Sequence, residues 1–300
     1  MRGSTRRRGV YGAIVMTAGS AVLVLSLIVG VGASLAAGKG SGGGSGGTCE
    51  DGLLPDMQPI VPHHLQIQNT GGREYLRLAN GIANVGAGPW HLHPEHTIVG
   101  ESGTTTAMQD IWDKVGGPSD PTASIVCSVA TTQFEFHAAH NHWHIGSVAR
   151  FAVQKALDNG QGGAIGDPVV NDRGIAQSFK TTFCLIDWVK LDDNSNTPGR
   201  IYWACDRTAP YQGVGVGWVD QYHHSLEGQE VDLTGVAVGT YYLTVDVNDE
   251  DLFIESNSAN NLSWVSFQLT RDSKGNPKIS LIGHSPCNSP NLCGEGLPNR

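Results

Sequence analysis

The sequence has no Cys-x-x-Cys pair, no internal repeat and few charged residues. Without such a pair among its six cysteines, a zinc site built from thiolates is not expected. Charged residues account for only 16% of the 300 residues, whereas 39% are hydrophobic, enough for a packed core. Segments with helical periodicity are few, so the pattern favours a domain built from strands.

Acidic residues are absent from the first 39 residues, which contain four arginines and Lys39. The rest of the chain has 14 basic and 28 acidic residues, so it is more acidic than the formal net charge of −9 indicates. An acidic domain repels nucleic acid and attracts cationic ligands, so we expect no nucleic-acid partner. The same acidity can also serve only to keep an exported domain soluble.

A charge-free apolar run from about Val10 to Ala37 follows the basic triplet at 6–8. A bilayer span needs roughly 20 such residues, so the run predicts a membrane anchor. The small residues at 33–37 could instead form the cleavage site of a signal peptide, and the arginine pair also permits twin-arginine export. Both interpretations of residues 1–37 place the remaining chain outside the cytoplasm, extracellular or anchored to a membrane.

Residues 38–48 are rich in glycine and serine and predict a flexible linker before a globular domain at 49–300. All six cysteines lie in that domain, and an even number in an exported chain predicts disulfide bonds. Cys287 and Cys293 are close enough in sequence to close a small loop. The spacing of the other four cysteines leaves their pairing open.

Short segments of alternating hydrophobicity recur between turns rich in glycine and asparagine. The pattern predicts an all-β fold, an antiparallel β-sandwich with long loops, preceded by an N-terminal membrane or signal helix. The predicted loops are 113–124 and 191–200. The predicted strands include 75–78, 81–84, 134–137, 241–247 and 264–269.

Four histidines fall within eight residues, at 137, 140, 142 and 144. Alternate side chains of a strand share a face, so His140, His142 and His144 should point the same way. On a fully extended strand the outer Cα atoms would be about 13 Å apart, so the backbone must bend to bring three rings to one ion. Imidazole suits copper, zinc, iron or nickel, and Cu(II) binds most tightly among the divalent ions.

At these histidines the sequence resembles the lysyl oxidase family, whose copper site has the pattern His-x-His-x-His followed by an apolar strand, here 148–153. Two segments downstream extend the resemblance in the same order, 179–187 with Lys180 and 217–222 with Tyr222. The resemblance covers most of the chain from about residue 56 to residue 261. Several motifs in matching order and spacing are more specific than any one of them.

The resemblance implies copper-dependent oxidative deamination of primary amines, small amines or lysine side chains of proteins, to aldehydes. Dioxygen would be consumed, and ammonia and hydrogen peroxide would be released. Lys180 and Tyr222 would be joined in the cofactor lysine tyrosylquinone. The Cu(II) ligands would be His140, His142 and His144. No residue stands out as the catalytic base: Asp220, His223 and His224 adjoin Tyr222 in sequence, but ordinary loop residues would look the same.

The resemblance also implies a calcium site that joins Asp56, near the start of the domain, to an asparagine-rich stretch after a late strand. Oxygen ligands of this kind suit Ca(II). Other extracellular sandwich domains carry similar turns without a metal, so the metal-free alternative stays open. The candidate ligands in the stretch are Glu255, Asn257, Asn260 and Asn261.

The chain departs from the animal members of this family at three positions. Ala139, Trp218 and Gly228 stand where those members have cysteines, so two animal-type disulfides cannot form. Cys184 and Cys205 could then pair with each other. No module for binding collagen or elastin is recognisable, so an animal matrix substrate does not follow.

Two other functions remain open on the residues alone. One is a non-catalytic extracellular sandwich that binds copper or calcium for adhesion or metal storage. The other is a zinc hydrolase with three histidines and a bound water. Neither gives Lys180 and Tyr222 a shared role. A fold that brings Tyr222 beside the histidines, with Lys180 in reach, would favour the oxidase.

Overall fold

The predictions for the N-terminal segment, for His140 and for Lys180 fall outside the residues that the structure describes. No helix in the described part of the chain is both long and apolar enough to cross a bilayer. The computed structural model describes residues 48–96, 103–137, 141–178, 182–192, 196–206, 208–209, 211–289 and 291–294.

The regular structure of these residues consists of nineteen short strands and two 3₁₀ turns, at Cys49–Asp51 and Gly117–Ser119. The strands are β1 Met57–Pro59, β2 His63–Thr70, β3 Arg73–Asn84, β4 Trp90–Pro94, β5 Thr104–Trp112, β6 Ile125–His137, β7 His142–Gly146, β8 Ala149–Ala156, β9 Ile165–Pro168, β10 Val170–Asn171, β11 Gly174–Ile175, β12 Thr182–Phe183, β13 Val189–Lys190, β14 Gln212–Val214, β15 Trp218–Tyr222, β16 Glu230–Asp232, β17 Gly239–Val247, β18 Leu262–Arg271 and β19 Pro277–His284.

The strands form three larger antiparallel sheets, which confirms the predicted all-β fold. In sheet I, the C-terminal half of β3 pairs with β1 and β15, its N-terminal half pairs with β2 and β16, and β13 pairs with β15. Sheet II has the order β12-β7-β6-β5-β4-β14, and sheet III the order β19-β18-β17-β8-β9. Strands β10 and β11 form a separate hairpin.

The alternating segments of the sequence are strands, as predicted. Residues 75–78 and 81–84 belong to the one strand β3, and residues 134–137 end β6. The late segments are β17 and β18, which pair along their length. Residues 241–245 of β17, the central strand of sheet III, are all buried, so both faces of this strand are covered.

One hydrophobic core draws on all three sheets. Leu78 comes from sheet I, Trp90 and Phe134 from sheet II, and Phe151 and Phe267 from sheet III, and each is almost completely buried. Burial of a side chain of this size contributes about 1.5–3 kcal/mol. The shared core therefore fixes how the sheets meet, and with them the residues at their edges.

Three disulfides close loops in the described domain. Cys184 pairs with Cys205 and Cys287 with Cys293, which confirms both predicted bridges. The third bridge, which the sequence analysis left open, joins Cys49 in the first 3₁₀ turn to Cys127 in β6. It attaches the start of the domain to sheet II across 78 residues of sequence.

The turn between β8 and β9 is organised by the carboxylate of Asp158. It accepts hydrogen bonds from the Tyr242 hydroxyl and from the backbone N–H groups of Gly160, Gly162 and Ala164. These bonds, with that of Tyr242 foremost, lower the pKa of Asp158 to about 2. The charged form of the carboxylate is therefore the one that closes the turn.

We expect Asp158→Asn to lower the free energy of unfolding at about pH 6, with a difference from the parent that shrinks towards about pH 2. The folded-state pKa lies below the ordinary value of 3.8, so the stabilisation is present above that value and is lost as the pH falls to about 2. Urea unfolding of both proteins at several pH values measures the difference. A difference that does not change with pH would contradict this role of the charge.

Candidate active site

The hairpin of β6 and β7 carries the histidine cluster. His137 ends β6 and pairs with His142, which begins β7. Trp143 and Ile145 of β7 belong to the hydrophobic core. His142 and His144, which alternate with them, therefore occupy the other face of the strand. Asn141, just before β7, has a left-handed backbone with φ of 55°, a conformation that asparagine tolerates at a turn.

The rings of His142 and His144 converge. Their Nε2 atoms are 2.8 Å apart, and the ring of His137 stacks on that of His144 with centroids 5.0 Å apart. The other ring nitrogen of His144, Nδ1, lies 2.9 Å from the hydroxyl of Thr182 in β12. A partner at Nδ1 sets the orientation of a ring whose Nε2 binds a metal.

This pair of imidazoles fits a copper ion. Metal–nitrogen distances are about 2.0 Å, so two adjacent ligands of one ion lie about 3 Å apart, as these two nitrogens do. Imidazole is also a preferred ligand of Cu(II). The third predicted ligand, His140, lies outside the described residues. Within those residues, no group of three or more His, Cys, Asp or Glu side chains has an arrangement that could hold a metal.

Tyr222, the last residue of β15, shares a cavity with these histidines. Its ring meets the ring of Phe183 edge-on, with centroids 5.2 Å apart, and its hydroxyl donates to the carbonyl oxygen of Cys184 at 2.6 Å. Phe183 belongs to β12, which pairs with β7. The cavity measures about 480 Å³ and is lined by His142, His144, Cys184, Ile186, Trp188, Asp220, Gln221, Tyr222, His223, Ser225, Leu226 and Glu227.

Burial holds Tyr222 in its neutral form. Loss of solvent raises the pKa of its hydroxyl well above the ordinary value, and the neighbouring Asp220 raises it further. Asp220 is only 2% exposed and stands two residues earlier in β15, on the same face as Tyr222. The phenol is thus a hydrogen-bond donor, with a buried carboxylate beside it.

The structure therefore brings three of the residues predicted for the oxidase site, His142, His144 and Tyr222, into one cavity, which Asp220 also lines. His223 lines it too, whereas His224 does not. Lys180 lies outside the described residues, which resume at Thr182.

A buried glutamine to which the sequence analysis gave no role connects the parts of this site. Nε2 of Gln212 donates to the carbonyl oxygen of Trp143 at 2.7 Å, and its Oε1 accepts from the N–H of Leu185 at 3.2 Å. Trp143 stands between the two histidines, and Leu185 follows Cys184. Because β14 and β12 are opposite edges of sheet II, these bonds show that the sheet curls until its edges meet.

The carboxylates and amides predicted to bind calcium form a second cluster. Nδ2 of Asn260 donates to Asp56 Oδ1 at 2.8 Å, and Nδ2 of Asn261 donates to Glu255 Oε1 at 2.6 Å. The side-chain oxygens of both asparagines are buried and have no hydrogen-bond partner among the described residues. Burial raises the pKa of Glu255, and the charge of Asp56 adds to the rise. Unpaired oxygens beside two carboxylates suit Ca(II).

Asn257, the remaining predicted calcium ligand, is exposed. Its side-chain oxygen accepts a hydrogen bond from the backbone N–H of Ala259, a local turn contact at 3.1 Å. Among the described residues, no hydrogen bond of Asn257 to Asp56 or Glu255 is seen. The four other candidates thus come together, and Asn257 occupies the surface of the same stretch.

A sequence model described as lysyl oxidase matches residues 119–275. Protein-lysine 6-oxidase of Gallus gallus is 32% identical over 139 residues, 46% of this chain and 28% of that protein. Protein-lysine 6-oxidase of Sus scrofa is 31% identical over 138 residues, 46% of this chain and 47% of that protein. Lysyl oxidase homolog 1 of Homo sapiens is 30% identical over 138 residues, 46% of this chain and 21% of that protein. The aligned part spans less than half the length of each of these relatives.

We expect Gln212→Leu to weaken the binding of Cu(II) by about tenfold, because outer contacts that orient metal ligands have effects of that size. Without the amide, the carbonyl of Trp143 and the N–H of Leu185 lose their partner, so that β7 loses its side-chain contact with β14. Isothermal titration of metal-depleted protein with Cu(II) measures the change.

Gln109→Leu is the matched control. Gln109 is also buried, and its amide makes the same paired bonds to the N–H and carbonyl of Ile254, away from the histidines. It should lose stability while keeping the copper affinity of the parent. Equal losses of copper affinity in both variants would show that Gln212 acts only through general stability.

We expect Ca(II) to raise the melting temperature of the parent by a few degrees, because a ligand that binds the folded state stabilises it. The shift should vanish in Glu255→Ala and persist in Asn257→Ala, since only the first residue belongs to the buried cluster. Calorimetry with Ca(II) or with a chelator measures both. A parent that does not respond to Ca(II) would exclude the site.

Proposed function

Because the chain belongs to the lysyl oxidase family, we propose that it is a copper-dependent amine oxidase that converts primary amines to aldehydes outside the cytoplasm. The single observation that carries the proposal is the cavity that Tyr222 shares with His142 and His144. The relatives named protein-lysine 6-oxidase support a lysine-containing substrate. Dioxygen would be the second substrate, and ammonia and hydrogen peroxide the other products.

In this proposal His140, His142 and His144 bind Cu(II), and Lys180 and Tyr222 form lysine tyrosylquinone. When bound, the copper ion with dioxygen supplies the oxidation of the tyrosine ring, and the quinone supplies a carbonyl that takes up the amine and two electrons. Lys180 stands two positions before Thr182, whose hydroxyl contacts His144. Phe183, the next residue, packs on the ring of Tyr222. Both contacts support the proposed pairing of Lys180 with Tyr222.

The surrounding side chains have separate tasks in this mechanism. Thr182 orients the ring of His144 through Nδ1 and leaves Nε2 for the metal. The carbonyl of Cys184 holds the hydroxyl of Tyr222, so the ring keeps one orientation. Ile186, Trp188 and Leu226 give the cavity an apolar wall that limits access of water to the reacting amine.

Asp220 is the group best placed to accept a proton from the carbon next to the substrate amine. It lines the cavity, is almost completely buried, and shares a face of β15 with Tyr222. A positioned carboxylate in such a site acts as a general base. His223 also lines the cavity but is partly exposed, and His224 lies outside the lining.

The calcium cluster and the N-terminal segment complete the proposal. Ca(II) bound by Asp56, Glu255, Asn260 and Asn261 would join the start of the domain to the turn before β18 and so stabilise the fold. Residues 1–37 would export the domain or anchor it to a membrane, in keeping with the extracellular site of action. In this proposal neither the calcium cluster nor residues 1–37 takes part in the reaction in the cavity.

Phenylhydrazine tests the cofactor directly, because it traps a quinone carbonyl as a coloured adduct. We expect the copper-loaded, aerated parent to develop colour and to release hydrogen peroxide from a primary amine. Lys180→Ala and Tyr222→Phe should do neither, since each removes one half of the cross-link. Absorption spectroscopy and a peroxide assay make the measurement.

Tyr241→Phe provides the matched control. Tyr241 is also buried and also donates its hydroxyl to a backbone carbonyl, that of Ala237. It should retain colour and activity. A fully copper-loaded parent without colour would exclude the oxidase and leave a metal-binding domain. Colour in Tyr222→Phe would place the carbonyl on another residue.

A further inference from the structure

Aromatic side chains continue from the cavity to the protein surface. Trp188 lines the cavity. Cζ of Arg200 lies 6.0 Å from the ring centroid of Trp188 and 4.4 Å from that of Trp203. Trp203 is 66% exposed. One guanidinium group thus contacts both an aromatic ring of the cavity and an aromatic ring at the surface.

The exposure of Trp203 sets it apart from other tryptophans of the described domain. Trp90, Trp143, Trp218 and Trp264 are at most 9% exposed. An exposed indole leaves apolar surface in water, and tryptophan is enriched at binding interfaces. Arg200 lies over one face of the ring, which holds the side chain in place and leaves the opposite face available.

The backbone next to Trp203 is attached to β7, the strand that carries His142 and His144. Cys205 forms the disulfide with Cys184, and its carbonyl accepts the N–H of Trp143 at 2.9 Å. The backbone of Asp206 forms an isolated antiparallel β-bridge with that of His142. Trp203 therefore stands two residues from a segment that is fixed beside the histidines. A ligand on the ring would be held at a defined place relative to the cavity.

We propose that Trp203, held by Arg200, is a subsite for the part of a polypeptide substrate that stays outside the cavity while its lysine side chain enters. This inference rests on the proposed amine oxidase function. A cavity of about 480 Å³ admits a side chain, so the remaining polypeptide must lie on the surface beside the opening. Arg200 already places a positive charge at the indole, so the open face suits an aromatic ring of the substrate rather than a second cation.

Steady-state kinetics with three substrates test the subsite: butylamine, a blocked peptide Tyr-Gly-Lys-Gly-Tyr, and a blocked peptide Ser-Gly-Lys-Gly-Ser. We expect Trp203→Ala to raise the KM of the tyrosine peptide by about tenfold, to the level of the serine peptide, since the stacked aromatic contact is lost. The kcat for that peptide and both constants for butylamine should stay as in the parent. Trp203→Phe should recover most of the lost affinity.

Leu157→Ala, at a side chain that is 71% exposed in the turn between β8 and β9, is the control and should change nothing. A rise in KM that is equal for butylamine and the tyrosine peptide would overturn the subsite, because it would place the effect of Trp203 in the cavity itself. An unchanged KM for the tyrosine peptide in Trp203→Ala would overturn it as well.

Binding without turnover separates this inference from the function on which it rests. Isothermal titration of Tyr222→Phe protein with the tyrosine peptide should give a dissociation constant that rises about tenfold when Trp203→Ala is added. If the parent does not oxidise butylamine, the proposed function fails, and the titration still decides whether Trp203 binds the peptide. No difference between the two proteins in the titration would overturn the subsite.

Discussion

Sheet II curls until its two edges meet, and the side-chain amide of Gln212 joins them. The amide satisfies a carbonyl of β7 and an N–H that follows β12, two backbone groups that the curvature of the sheet buries. A buried polar group without a partner costs about 1–3 kcal/mol, so this closure is strongly determined. The candidate site lies at this junction, because β7 carries the histidines and Cys184, which follows the neighbouring β12, accepts the hydroxyl of Tyr222.

The junction also explains why a chemically demanding site can be rigid. His144 is held through Thr182, Tyr222 through the carbonyl of Cys184, and Cys184 through its disulfide to Cys205. These contacts involve separate strands, so no single loop sets the geometry of the cavity. Such an arrangement holds Tyr222, the buried Asp220 and the two histidines at fixed distances from one another.

Where the animal members of the family have cysteines, this chain uses packing and hydrogen bonds. The indole N–H of Trp218 donates to the carbonyl of Pro198 at 3.1 Å and holds the long loop after β13. Gly228 has a φ of 78°, a left-handed conformation that suits glycine, and its carbonyl accepts the hydroxyl of Ser178. Non-covalent contacts thus occupy two of the positions where those members have cysteines.

The longer strands, the resemblance to the family and the chemistry-bearing residue types could all be predicted from local sequence patterns. Alternation of side chains is a local property, so β3, β6, β17 and β18 were predictable, and so was the short loop between Cys287 and Cys293. The order of several motifs was enough to single out Tyr222, Lys180 and the histidines as candidates.

The residues that support them are set by the tertiary structure. Gln212 and Thr182 owe their roles to contacts with other strands, and the bridge from Cys49 to Cys127 spans 78 residues. Among the calcium candidates, Asp56 meets Asn260 across 204 residues, whereas Asn257, in the same stretch, makes a local turn at the surface. Contacts between residues this far apart in sequence cannot be predicted from local patterns, because they are set by how the sheets curl and share one core.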